Sequence, residues 1–200
     1  METQRHSGSV SPPFWTEVWI LGGGPSRKQF DLNLLTGKTV LALNDAAVAL
    51  PTSVVARSAV TVFSADNCWV RRHRDFLIGF PGEKYLAIDL DSWPDCVGIP
   101  DVTYLRCLDR SDLSEDPTAV HGLNTGAAAI NLAYLKRART VHLVGYDMQP
   151  EGPDADIYTS WAPLFRNQRR QLQHAAVEVI NHNPDSAIDA FPKIRLEVTV

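Results

Sequence analysis

The sequence predicts an α/β fold of the Rossmann-like type, a single domain built on one mostly parallel sheet with helices on both faces. Three observations lead there. Short apolar runs alternate along the chain with mixed stretches of helical length. Several of those runs are apolar without interruption, the pattern of strands buried on both faces of a parallel sheet. Polar or glycine-rich residues stand immediately after the runs, at the strand ends where such sheets hold ligands.

Residues 1–16 read as a flexible leader, because the segment is polar and its Pro12-Pro13 pair offers nothing to pack. Residues 17–200 form the domain. Strands are expected at 17–21, 39–43, 60–63, 84–88, 102–105, 141–144 and 177–180. The strongest helix runs from Thr125 to about Arg137, and a second from about Ala162 to His174. Arg71-Arg72-His73-Arg74 reads as a solvated helix face, with a phosphate contact as the alternative. The tail from Trp161 onward completes the site or forms an oligomer contact, and Phe191-Pro192 could wall a pocket.

Composition narrows the function classes. With 200 residues, 44% hydrophobic and 21% charged, the chain can bury one core and is too apolar for a disordered tail. No apolar run approaches the roughly 20 residues needed to span a bilayer. The first residues also lack the apolar stretch of a secretory signal. A net charge of -4 gives no long-range attraction to nucleic acid or anionic membrane. Stacking on Trp69 beside the arginines would suit a nucleic acid, but the acidic whole argues against one. Three cysteines, Cys68, Cys96 and Cys107, are too scattered for a disulfide framework or a zinc site. The expectation is a reduced, cytoplasmic protein.

Four strand ends carry candidate chemistry. Gly22-Gly23-Gly24-Pro25-Ser26 follows the first run, and glycines let backbone N–H groups approach a phosphate at a helix start. The same turn read plainly is a tight strand-to-helix connection. Arg27 stands where the dinucleotide fingerprint needs its third glycine, and Leu32 breaks a P-loop ending at Gly37-Lys38-Thr39. Asn44-Asp45 follows the second run and Ser64-Ala65-Asp66-Asn67 the third. Asn124-Thr125-Gly126 opens the best helix with unpaired N–H groups and the positive end of its dipole, which suits an anion; it is also an ordinary capping sequence. Asp147, after Gly145-Tyr146, could bind a ribose hydroxyl, hold Mg²⁺ through water, act as a base, or merely cap the next turn. Asp66 and Asn67 carry the same alternatives.

The ordered set Leu21-Gly22-Gly23-Gly24-Pro25-Ser26, Leu43-Asn44-Asp45, Leu123-Asn124-Thr125-Gly126 and Val144-Gly145-Tyr146-Asp147 resembles a known group. It is similar to the Rossmann-like 6-hydroxymethylpterin diphosphokinase-like superfamily, which includes motility accessory factors and small phage proteins. It resembles, more distantly, the bacterial sialyltransferases of glycosyltransferase family 42. The resemblance covers residues 17–148, and the remaining chain only loosely.

It implies a nucleotide across the sheet's carboxyl edge. Gly23, Gly24 and Ser26 would face phosphate, Asn44 phosphate or sugar, and Asn124, Thr125 and Gly126 the nucleotide, with Gly22 also counted among the nucleotide-binding residues. In the diphosphokinase branch ATP with Mg²⁺ is expected, with Asp66 and Asp147 as the available carboxylates. The sialyltransferases place a histidine base after the Gly-x-Asp strand end. Residues 149–170 contain none, and His174 and His182 come next.

The expected activity is a nucleotide-dependent transfer of a phosphoryl, diphosphoryl or glycosyl group from a nucleotide or nucleotide-sugar to an acceptor. Asp147 and Asp66 are the catalytic candidates. The alternative is a non-catalytic nucleotide or small-molecule binding module, phage-encoded and working in the host cytoplasm.

Overall fold

The computed structural model describes residues 15–149 and 155–195. Its strands are β1 (Glu17–Leu21), β2 (Thr39–Leu43), β3 (Ala59–Ser64), β4 (Glu83–Leu86), β5 (Val102–Tyr104), β6 (Arg106–Leu108), β7 (Ala119–His121), β8 (Thr140–Val144) and β9 (Glu178–Asn181). Its helices are α1 (Asp45–Val48), α2 (Thr52–Arg57), α3 (Asn67–Arg72), α4 (Arg74–Gly79), α5 (Thr125–Leu135) and α6 (Ala155–His174). Seven strands make one sheet in the order β5-β4-β3-β2-β1-β8-β9, every neighbouring pair parallel. The chain steps outward from β1 to β5, then crosses to β8 on the other side of β1. Strand order therefore reverses between β1 and β8, the topological switch point where such sheets open a crevice.

Period-2 alternation explains the uninterrupted apolar runs. Val18 and Ile20 of β1, with Leu41 and Leu43 of β2, enter one core cluster; Trp19 and Leu21, with Val40 and Ala42, enter the cluster on the opposite face. Both faces are covered, so neither set of side chains meets water. The first cluster holds α5, whose Ala127 through Ala133 are all buried, including the polar Asn131. A helix apolar nearly all round belongs inside. Asn131 is accommodated because its Oδ1 accepts the Ser114 and His121 amide protons, at 2.9 and 2.7 Å, while its Nδ2 donates to Ser114 O. It thereby ties β7 and the preceding loop to α5.

The observed β1 and β2 coincide with the expected runs, and the other five expected strands are present within one or two residues. The small β6–β7 parallel pair and helices α1 and α2 were not expected, and the helix face read at Arg71–Arg74 is split, α3 ending at Arg72 and α4 starting at Arg74. The strands of that pair have three residues each and the helices four to six, too few to show a period. Helix α6 begins at Ala155 rather than near Ala162 and runs through Pro163. Proline removes one intrahelical bond, which burial of Leu164, Phe165 and Leu172 offsets.

Residues 1–14 of the expected leader lie outside the described residues. Trp15, counted with it, is buried, and its N–H bonds Lys136 O at 3.1 Å. Packing thus reaches at least two residues before β1. Among the described residues no helix is long and apolar enough to cross a membrane.

Candidate functional site

The polar strand ends meet at one cavity of about 900 Å³ on the carboxyl edge of the sheet, beside the switch point. Gly22, Gly23, Gly24, Asn44, Asp66, Asn124, Thr125, Gly126 and Asp147 all border it. Ser26 is one residue behind its wall, joined to Asp147. The two segments on which the anion-cradle expectation depended, the triple-glycine turn and the α5 start, face each other across the same space. Tyr146 couples them. Its ring lies against Gly22, and its hydroxyl donates to Gly126 O at 3.1 Å. Full burial holds the phenol protonated far above its ordinary value.

The glycine turn is built by close approach to β8. Gly22 N–H donates to Val144 O at 2.7 Å and Gly24 N–H to Gly145 O at 2.9 Å. A Cβ on Gly24 would overlap the Asp147 carboxylate, so only glycine fits there. Gly145 has φ 72, and a Cβ on it would stand 2.6 Å from Gly22 O. This close contact occupies amides that a phosphate would otherwise use. Among the described residues, Gly23 N–H and the Ser26 hydroxyl remain without a protein partner on this turn.

Asp147 is 3% exposed and both its oxygens are engaged. One accepts Ser26 N–H at 2.9 Å and the other accepts Asn183 Nδ2. The segment 181–187, from the last residue of β9 onward, fastens the same corner. Asn181 Nδ2 and Ser186 Oγ donate to Tyr146 O at 3.1 and 2.6 Å, and Ala187 N–H donates to Asp147 O at 2.8 Å. The tail does complete the site, through residues that carried no motif.

The opposite wall has the reverse character. Asn44 adopts φ 47 and ψ -129, a strained conformation for a residue with a side chain. Its Oδ1 is buried without a partner, as are Asn67 Oδ1 and Asn124 Nδ2. Asn124 Oδ1 caps α5 by accepting Ala127 N–H at 2.9 Å. The Thr125 and Gly126 amides are left as donors at the helix start, with no protein acceptor among the described residues. Asp66 caps α3, accepting Trp69 N–H at 2.9 Å through Oδ1, and its other oxygen has no hydrogen bond among the described residues.

Sequence reasoning missed several lining residues. Trp93 and Trp161 flank the cavity with indole rings. Asp45, read from the sequence together with Asn44, borders it as well, held by Trp69 Nε1 at 2.7 Å and with His73 Nε2 at 3.7 Å. Among the described residues no lysine or arginine lines the space. Arg27 packs against the lining Gly145, its Nε buried without a partner, and Arg71 places its guanidinium 4.9 Å over the Trp93 ring, so one member of the basic cluster does approach the site. Trp69, considered as a stacking surface for nucleic acid, is 3% exposed and unavailable to a base.

No family model and no curated protein sequence matches this chain. Solved structures do. The sialyltransferase CstII from Campylobacter jejuni, in complex with the substrate analogue CMP-3FNeuAc, aligns with a TM-score of 0.53 and 13% identity, covering 89% of this chain and 84% of that one. The same enzyme with cytidine-5'-monophosphate gives 0.55 and 12%, covering 90% and 85%. At this identity the likeness establishes the fold.

Proposed function

We propose that this chain is a nucleotide-sugar-dependent glycosyltransferase, with its donor held at the cavity beside the switch point. One observation carries the reading: unpartnered hydrogen-bonding groups from β2, α3 and α5 converge on one space with the glycine turn. Orphaned buried polar atoms are rare, and each calls for a partner. Likeness in fold to an enzyme solved with CMP and a CMP-sugar analogue supports it. The α5 amides, Gly23 N–H and the Ser26 hydroxyl would receive phosphate, the three asparagines the sugar and base, and Trp93 or Trp161 would stack.

In the step itself an acceptor hydroxyl oxygen attacks the anomeric carbon of the donor sugar. The bond from that carbon to the phosphate oxygen breaks, the nucleotide leaves with the electron pair, and the hydroxyl proton passes to Asp66. Asp66 takes this role because one of its oxygens is uncommitted. Asp147 acts as a positioning residue, since both of its oxygens are occupied. Preorganised N–H groups would meet the charge that develops on the departing phosphate.

The residues present do not fit Mg²⁺ shared by Asp66 and Asp147. Among the described residues no three His, Cys, Asp or Glu side chains cluster as ligands. Asp147 is consumed by Ser26 and Asn183.

A second reading is a binding module without turnover, favoured because no histidine among the described residues lines the cavity. A melting panel with CMP, CDP, ATP, GTP and nucleotide-sugars, each with and without Mg²⁺, tests the donor site. Ligand at 100 times its Kd should add about 2.7 kcal/mol of stability. No shift with any nucleotide at millimolar concentration would end the donor reading; a shift without sugar transfer to any acceptor would favour the module.

A further inference from the structure

A second cavity of about 880 Å³ opens beside the first, and Ala65, Asn67 and Asn124 belong to both walls. It lies at the ends of β4, β5 and β6, an edge that the donor reading leaves without a role. We propose that this second cavity binds the acceptor, and that the acceptor there is an uncharged, hydroxyl-rich sugar end rather than an anionic one. The assignment rests on the donor reading above.

Position comes first. Asn67 and Asn124 form the divide, and each has a buried amide atom without a partner: an acceptor, Oδ1, on Asn67 and a donor, Nδ2, on Asn124. Asp66, the proton acceptor, adjoins Asn67 in sequence and borders the donor side. An acceptor hydroxyl entering across this divide would reach the carboxylate and the anomeric carbon together.

Charge then selects the ligand class. Three carboxylates, Asp89, Asp91 and Asp109, line the second cavity, and the only cation among its lining residues is Arg106. That guanidinium is paired with Asp116 at 2.7 Å, so it offers little to an anion. Asp89 is itself fixed, accepting Asp91 N–H at 3.1 Å and the Ser92 hydroxyl at 2.5 Å. Asp91 and Asp109 have no hydrogen-bonded protein partner through their side chains among the described residues. Carboxylate oxygens accept from hydroxyls and can bridge neighbouring ones, whereas a second carboxylate or phosphate would be repelled. The Asp109 charge reaches inside: with burial as the larger cause, it helps push the Cys107 thiol of the same wall up to about 11. Cys107 therefore stays a neutral thiol at pH 7 and presents no nucleophile.

The test uses the full chain and saturation-transfer NMR with millimolar methyl galactoside and methyl glucoside against N-acetylneuraminic acid and glucose 1-phosphate, each with and without CMP. With CMP filling the donor cavity, the neutral glycosides should give signal and the anionic sugars should not; any anionic signal seen without CMP and displaced by it belongs to the donor cavity. The Asp91→Lys/Asp109→Lys variant should weaken glycoside binding at least tenfold while leaving the CMP-induced melting shift unchanged. Asp91→Asn/Asp109→Asn, nearly isosteric, serves if the lysine variant unfolds and should lose about half as many decades. With CMP present, anionic sugars binding as tightly as neutral ones, or glycoside binding indifferent to both variants, would overturn the proposal. Glycosides that bind and respond to the variants while CMP gives no melting shift would uphold the sugar cavity and remove the donor reading instead.

Discussion

The two walls of the donor cavity are built on opposite principles. On the β1–β8 side, Asp147, the Tyr146 carbonyl and the Gly24 amide are all spoken for by neighbouring protein groups. Across the space, Asn44, Asn67 and Asn124 leave buried polar atoms unmet, and Asn44 is strained besides. The first wall spends most of its hydrogen bonds on shape, keeping Gly23 N–H, the Ser26 hydroxyl and Arg27 Nε open, and the second holds its asparagine groups in reserve for a ligand. Substitutions on the first should therefore cost stability, and those on the second should cost binding or turnover with little change in folding.

The largest effect expected is from Asp147→Ala. It strips partners from Ser26 N–H and from the buried Asn183 amide, and should lower unfolding free energy by about 3 kcal/mol in urea titration. A change under about 1 kcal/mol would erase the contrast between the walls.

Asp66→Asn comes next and tests the other wall. Asparagine caps a helix as well as aspartate does, so stability should stay within about 0.5 kcal/mol. Transfer, once an acceptor is in hand, should fall by roughly 100-fold or more at unchanged donor affinity. Equal loss of affinity and turnover would make Asp66 a binding group only.

For Asn44→Gly the expected cost is about tenfold in nucleotide affinity, near 1.4 kcal/mol. Glycine accepts the φ 47 backbone without strain, so the melt should hold or rise slightly. Calorimetric titration beside a thermal melt reads both. A destabilised variant with intact affinity would assign Asn44 to the rigid wall.

The smallest effect concerns the back of that rigid wall. His142 Nδ1 and His182 Nε2 lie 2.8 Å apart beneath Trp19, with Glu17, Lys38 and Glu178 around them. Burial, then the His142 ring, pushes His182 down to about 4; burial also lowers His142. Both imidazoles are less basic folded than unfolded, where about 6.5 applies, so the unfolded chain binds more protons. Their stabilising contribution is whole above pH 6.5 and is lost as pH falls toward 4. About 1 kcal/mol should disappear over that window after solvent screening, and His182→Gln should flatten the slope. Stability that rises on acidification to pH 5 would refute the sign. His182 adjoins Asn183, the Asp147 partner, so the same titration would also loosen the corner.

Legibility in the sequence followed how local the physical signal was. β1 and β2 were readable because strands covered on both faces must be apolar at every position. α5 was readable because its alanines and Asn124 cap lie together in sequence. α1, α2, β6 and β7 left no period to detect. At the site, the glycine turn, Asn44, Asp66, Asn124 and Asp147 were found as strand-end residues, since parallel topology places all such ends on one edge. Trp93, Trp161, Asn67 as a shared wall and the Asn183–Asp147 bond were not, because each depends on partners many residues away.

The sequence by itself determined which segments must be buried and which polar residues must sit at strand ends, since alternation, capping and turn chemistry act over a few neighbouring residues. Tertiary structure alone decided which of those polar groups are satisfied and which stay open. The Asp147 and Ser26 amide partnership spans 121 positions of chain, and nothing in either residue's neighbourhood encodes it. Hydrogen-bond saturation is a property of packed space, and it is what separates a wall that holds shape from one that waits for a ligand.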